Sequence, residues 1–235
     1  SSSVLDLDAL KEQLSGVPSM AGLELSSLVT TKKPYTLGNP SARRRIAVMD
    51  YGVKKNILRN LVERDSFLQV FPADTSFREI RSWNPDGILL SNGPGDPSVM
   101  PKQVAEIKLM LEDNAPIFGI CLGHQLLAEA CGISTFKMFN GHRGINHPVK
   151  NLITGRSEIT SQNHGFSVNA EDVKAAKHLD ITHVNLNDGT IEGIRVKDRV
   201  ASSVQYHPEA APGPHDSSYL FDDFIQCIDK AVVES

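Results

Sequence analysis

From residue 45 the chain alternates four times between a short apolar run and a segment whose apolar residues recur at helical spacing. "RRRIAVMDY" precedes "KKNILRNLVER", with Ile57, Leu58, Leu61 and Val62 on one side. "FLQVFPA" precedes "FREIRSW", which Asn84-Pro85 ends. "GILLSNG" precedes "KQVAEIKLMLEDN", with Val104, Ile107 and Leu111 on one face, and "PIFGIC" precedes "LGHQLLAEACG", stopped by Gly132. Strands alternating with helices build βαβ units, so the predicted fold class is α/β: a mostly parallel sheet flanked by helices. Function in such sheets gathers in loops at the carboxyl ends of strands.

The texture changes on either side of this block. "STFKMF", "HPVKNLI", "SEITSQNHGFSV", "ITHVNL", "IEGIRV" and "VASSVQYHPE" read as shorter strands joined by turns such as Asn187-Asp188-Gly189, an antiparallel extension in the C-terminal half. "SSYLFDDFIQCIDKAV" reads as an amphipathic closing helix. Before residue 45, a short helix over "LDLDALKEQL" leads into a stretch rich in Ser, Gly, Pro and Thr, which is linker composition. At 235 residues and 40 % hydrophobic content, a core of useful size can form. A net charge of −4 gives no electrostatic reason to expect nucleic acid or a membrane surface as partner. There is no apolar run of about 18 residues to span a bilayer. The start also lacks the basic and apolar regions of a signal peptide. The three cysteines, Cys121, Cys131 and Cys227, show no CxxC pair and no metal-ligand spacing. A reducing, cytoplasmic setting follows, with Cys131 and Cys227 expected to pack in or near helices.

Cys121 is different. It stands between Gly119 and Gly123 where the fourth strand meets its helix. G-x-C-x-G at that junction is the thiol counterpart of the G-x-S-x-G nucleophile elbow. The helix N-terminus favours an anion, and so lowers a thiol pKa from about 8.5. Backbone N–H groups of the first turn can stabilise an oxyanion. A cysteine nucleophile needs a base. In "VQYHPEA", His207 ends an apolar strand and Glu209 follows two residues on. Extended backbone would put both on one face, with the carboxylate holding the imidazole. His-x-Glu as a metal site lacks further ligands at suitable spacing, so no metal is expected. "SNGPGDP" is a stiff loop of exposed N–H groups; without GxxxxGK[ST] or GxGxxG before a helix, it suits an oxyanion hole better than a phosphate. "SQNHGF" supplies Asn163, His164 and Phe166 around Gly165, where a ligand can approach closely.

These motifs together resemble the class I glutamine amidotransferases of the triad type. "NGPGDP", "FGICLGHQLLA", "GHRGINHPV", "SQNHGF", "QYHPEAAPGPHD" and "DYGVKKNILR" narrow the resemblance to the small subunit of carbamoyl-phosphate synthetases, from about residue 45 to the C-terminus. GMP and anthranilate synthase amidotransferases share the cysteine elbow and H-P-E, but are not expected to carry "SQNHGF" or "HRGINHP". The resemblance implies a class I amidotransferase (flavodoxin-like) sheet over 45–235, and over 1–44 a linker with the tail of an N-terminal domain. Only "MAGLELSSLVTTKKP" of that domain is expected here, and "SSS" reads as a scar. The domain would contribute to subunit contact and lend a serine to the glutamine site.

The resemblance also implies roles. Cys121 would attack the glutamine side-chain amide, His207 would act as base and then acid, and Glu209 would orient His207. Gly95 and Leu122 would offer N–H groups to the oxyanion, and Gly93, Gln125, Asn163, Gly165 and Phe166 would hold L-glutamine. Ammonia would pass to a large synthetase subunit, which uses ATP and bicarbonate to make carbamoyl phosphate for arginine and pyrimidine synthesis. No cofactor is expected in this chain. The competing expectations are the amidotransferase of another synthetase and a catalytically silent regulatory domain of the same fold.

Overall fold

The computed structural model describes residues 6–234; the "SSS" start lies outside the described residues. Helix α1 (Leu7–Ser15) is capped by the Asp6 side chain, which accepts from the N–H groups of Asp8 and Ala9. A short helix α2 (Ser26–Val29) and an exposed strand β1 (Tyr35–Leu37) follow. The repeated units then appear in order: β2 (Arg44–Asp50) and α3 (Lys55–Val62), β3 (Ser66–Pro72) and α4 (Phe77–Ser82), β4 (Gly87–Leu90) and α5 (Pro101–Glu112), β5 (Ile117–Ile120) and α6 (Leu122–Ala130). A 3-10 turn (Pro97–Val99) lies between β4 and α5. The second half holds β6 (Thr135–Asn151), β7 (Ser157–Val168), α7 (Ala170–Ala175), β8 (Leu179–Asn185), β9 (Ile191–Val196), β10 (Ala201–Val204) and α8 (Tyr219–Glu234).

The strands form one ten-stranded sheet in the order β1-β3-β2-β4-β5-β10-β9-β8-β6-β7. Strands β3, β2, β4, β5 and β10 are mutually parallel and form its centre. Strands β9, β8, β6 and β7 extend it with antiparallel pairs, and β1 pairs antiparallel on the opposite edge. The expected α/β sheet with its antiparallel extension is therefore present, and the last strand returns to the centre beside β5.

Both faces of the centre are covered, which is why its strands read as unbroken apolar runs. On β2, Ala47 and Met49 join one core with Met110, Leu126 and Leu127. Ile46 and Val48, one pleat over, join the other with Ile57, Leu61, Phe221 and Phe224. Tucked close to the sheet, α8 sets Ile228 where a Cβ at Gly87 would come within 2.5 Å. Its start is also tied down: Arg64 Nε donates to Asp222 Oδ1 at 2.7 Å.

Three expectations change. "STFKMF" and "HPVKNLI" belong to one 17-residue strand, β6. The polar, glycine-containing stretch between them is absorbed by register shifts at Lys137/His142 and Gly144/His147, where Gly141 and Gly144 take positive φ. The run ending in His207 is a strand only to Val204; residues 207–210 form a turn closed by Ala210 N–H on His207 O at 3.2 Å. Cys227 is exposed on α8 rather than packed, while Cys131 caps α6 half-buried, its thiol pushed up to about 11 by burial.

Candidate active site

The site gathers where the parallel strands end. Cys121 follows β5 and precedes α6, with φ 55° and ψ −104°. A non-glycine residue at positive φ is strained, and such strain persists only where the surroundings over-determine it. Here they do. Cys121 N–H donates to Val204 O at 2.9 Å, and its own carbonyl accepts from His124 and Gln125 N–H, each at 3.1 Å. Gly123 N–H reaches across to Ser91 O at 3.0 Å. A Cβ at Gly123 would stand 2.2 Å from Leu90 O, and one at Gly119 would stand 2.7 Å from Gly123 O. Both glycines let α6 start against the neighbouring strand, which leaves the thiol at the helix N-terminus.

His207 reaches the thiol from the turn after β10. Its backbone N–H donates to Ser161 O of β7 at 2.9 Å, and its ring stands close enough to the Cys121 sulfur to feel its charge. Nδ1 lies 2.8 Å from Glu209 Oε1. The two side chains meet because Pro208 sits at the second position of a turn, not because the backbone is extended. Proline's fixed φ suits that position. Lys54, just before α3, places Nζ 3.2 Å from the same carboxylate oxygen. Glu209 is further tied by Asn56, whose Nδ2 donates to its backbone carbonyl at 2.6 Å.

The electrostatics follow from this chain of contacts. Burial pulls the His207 imidazolium down, but the Cys121 sulfur and the Glu209 carboxylate outweigh it and push the ring up to about 9. Burial likewise opposes a charged Glu209. Its hydrogen bond to His207 and the positive charges of His207 and Lys54 still hold it below the usual carboxylate range. The result is an ordered row in which Lys54 supports Glu209, Glu209 supports His207, and His207 faces Cys121.

The cysteine opens into a cavity of about 380 Å³. Of the expected site residues, Gly93, Gly95, Cys121, Gln125, Asn163, Gly165, Phe166 and His207 line it. Glu209 stands behind His207. The Leu122 side chain packs into the core, close enough that a Cβ at Gly93 would come within 2.8 Å of it. Only its backbone is available at the head of α6. Gln125 spends its amide NH2 on Phe166 O and Gln205 Oε1, both at 3.0 Å, which leaves its carbonyl oxygen to offer. Sequence reasoning assigned no part to Lys54, Met20, Lys137 or Arg143, which also line the cavity. Lys54 lies inside "DYGVKKNILR", but nothing local ties it to a carboxylate 155 positions away.

Among the described residues, one group has ligand atoms close enough to hold a metal ion: His142, His164 and Glu192, within 4.8 Å of one another. Their nitrogens are already committed. His142 Nε2 lies 2.8 Å from Asp188 and Nδ1 3.3 Å from Glu192, and His164 Nδ1 donates to Phe166 O at 2.8 Å. Hydrogen bonding to Glu192, then to Asp188, outweighs burial and raises His142 to about 9. Burial lowers His164 to about 4. This is a proton-holding clasp between β6, the β8–β9 turn and β9.

The chain is similar to known proteins across most of its length. The family described as "Glutamine amidotransferase class-I" matches residues 47–227. The chain is 49 % identical over 227 residues to the carbamoyl phosphate synthase small chain of Chlorobaculum tepidum, covering 96 % of this chain and 62 % of that one. It is 47 % identical over 242 residues to the small chain of Polynucleobacter asymbioticus, covering 95 % and 60 %. It thus spans about 60 % of the length of these curated relatives. In fold, it is similar to a provisionally assigned GMP synthase component of Thermoplasma acidophilum, with TM-score 0.67, 22 % identity, and 81 % and 95 % of the two chains covered. It is also similar to a glutamine amidotransferase of Thermotoga maritima, with TM-score 0.57, 15 % identity, and 80 % and 84 % covered. With the family match running from β2 into α8, the chain belongs to the class-I glutamine amidotransferases.

Proposed function

We propose that this chain hydrolyses L-glutamine to glutamate and ammonia through a thioester on Cys121. The observation that carries the reading is the strained Cys121 elbow in contact with a His207–Glu209 pair at the floor of the cavity. The thiolate attacks the side-chain amide carbon, and the C=O pair moves to oxygen as an oxyanion. On this reading the Gly95 and Leu122 N–H groups receive it. The intermediate collapses as the His207 imidazolium gives its proton to the departing nitrogen, so the C–N bond breaks and ammonia leaves. His207, now neutral, takes a proton from water. The hydroxide adds to the thioester, glutamate departs, and thiolate and imidazolium are restored. Glu209 holds Nδ1 and supports the charged ring, and Lys54 keeps Glu209 ionised. Gly93, Gln125, Asn163, Gly165 and Phe166 form the walls that hold the amino acid.

The ammonia is for a partner. The named relatives are small chains of a carbamoyl phosphate synthase, so the reading extends to a large synthetase subunit that uses ATP and bicarbonate in arginine and pyrimidine synthesis. This chain would need no cofactor of its own, and the setting would be cytoplasmic. No helix among the described residues is long and apolar enough to cross a membrane.

Glutamate release from glutamine, measured beside a Cys121→Ala variant, tests the reading. Release by the wild type and a loss of at least about a thousandfold in the variant is expected for a covalent nucleophile. Equal release by both would remove Cys121 from the mechanism.

A further inference from the structure

The linker before β2 is not a loose tail. Residues 20–31 run along the carboxyl ends of β2 and β4 and are stitched there. Thr31 N–H donates to Asp50 Oδ2 at 2.7 Å, Ala73 N–H donates to Thr30 Oγ1 at 2.9 Å, and Met20 lines the cavity. The closest contact is with the Gly93–Gly95 loop. Glu24 forms an isolated antiparallel bridge with Gly95. Asp96 N–H donates to Leu23 O at 2.9 Å, and Gly22 N–H donates to Asp96 Oδ2 at 2.8 Å. Asp96 is buried, and its other oxygen, Oδ1, caps the 3-10 turn by accepting from Ser98 N–H and Oγ.

From this geometry we infer that segment 20–25 is a strap that aims the Gly95 N–H at the reacting carbonyl, with Asp96 as its positioning residue. The inference rests on the glutaminase reading above. Gly95 has φ +109°, and a Cβ there would stand 2.8 Å from Leu23 O and 3.0 Å from Leu25 N. The strap therefore occupies one side of Gly95 and the cavity the other. The hydrogen bond to the strap comes from Asp96 N–H, not from Gly95. In the antiparallel bridge between Glu24 and Gly95 it is the flanking residues, Leu23 and Asp96, that exchange the hydrogen bond, so Gly95 is at a non-hydrogen-bonded position and its N–H is not spent on the strap. Asp96 joins both devices, one oxygen on the strap and one on the turn, and so fixes the loop in the position that Cys121 requires. The strap is part of the machinery, supplied by the segment with linker composition.

The test compares full chains carrying Asp96→Ala, Asp96→Asn and Ser98→Ala. Three quantities are read: kcat and KM for glutamine, the rate of Cys121 alkylation by iodoacetamide, and deuterium exchange at the amide of position 96. Alkylation is a displacement at saturated carbon and needs no oxyanion hole. Loss of one oxyanion donor costs roughly 100- to 1,000-fold in kcat, so misaiming one is expected to cost about 10- to 100-fold. Asp96→Ala should show that fall with KM changed by less than about threefold, unchanged alkylation, and loss of protection at position 96. Asp96→Asn should recover part of kcat, and Ser98→Ala, which removes one of the two hydrogen bonds to Oδ1 and leaves the strap bond in place, should fall less than Asp96→Ala. An unchanged kcat in Asp96→Ala would overturn the inference, as would alkylation falling in step with kcat. If the wild type releases no glutamate, the glutaminase reading fails on its own terms. Exchange then decides the strap: protection at position 96 that survives Asp96→Ala would reject it.

Discussion

Cys121 holds a strained backbone conformation at the strand–helix junction, between Gly119 and Gly123. Two glycines around one cysteine at a strand–helix junction leave few conformations, and the observed φ of 55° is the one an elbow demands. The partnership of His207 with Glu209 was also legible, but its geometry was not. An i, i+2 pair suggested extended chain, whereas proline makes a turn that brings the groups together at 2.8 Å. Lys54 could not be found from local pattern, because its value lies in a contact across the fold. The pair makes a prediction. His207 titrates near 9, above the ordinary 6.5, so the stability it contributes is complete below pH 6.5 and is lost as pH rises through about 9. NMR titration of His207 in Glu209→Gln should give a midpoint at least about one unit lower, since the carboxylate's hydrogen bond and charge are gone. An unmoved midpoint would mean that Glu209 is not what sustains the imidazolium.

Among the elements, the four βα units were readable because a doubly covered parallel strand and an amphipathic helix leave opposite signatures. Strand β1 was not: all three of its residues are exposed, so it has no apolar pattern to read. Strand β6 was read as two because its middle is polar and glycine-bearing, and bulges that keep such a strand continuous have no simple sequence mark. That middle carries His142, which ties the β6–β7 hairpin to β9 through Glu192 and to the preceding turn through Asp188. The ring also meets His164 edge-on, with centroids 4.9 Å apart, and His147 at 5.1 Å. The imidazolium is favoured in the fold, so its contribution should be present below pH 6.5 and fade as pH rises through about 9. His142→Gln is expected to cost about 2 kcal/mol at pH 6 in denaturant unfolding, discounted for the exposed side of Asp188, and clearly less at pH 9.5. A difference that does not change with pH would show that packing, not charge, is what the ring supplies.

Taken as a whole, the molecule is a sheet that delivers pieces of one site from distant parts of the chain. Cys121 comes from β5, the glycine loop from β4, His207 and Glu209 from β10, and the Asn163–Phe166 wall from β7. The parallel order brings β4, β5 and β10 side by side. Chain order alone could not show that β10 returns to the centre, since β10 lies far from β5 in sequence and the intervening strands are antiparallel. Nor could composition show that residues 20–31 lie across the strand ends, because their stitching uses backbone and short polar side chains instead of an apolar stripe. Together, on the proposed reading, these pieces make Cys121 a nucleophile toward glutamine. Acid-quenched mass spectrometry of the chain during reaction with glutamine tests it most directly. A single γ-glutamyl adduct is expected on the peptide bearing Cys121, absent from Cys121→Ala. An adduct only on Cys131 or Cys227, or none on a Cys121 that iodoacetamide still alkylates, would contradict it.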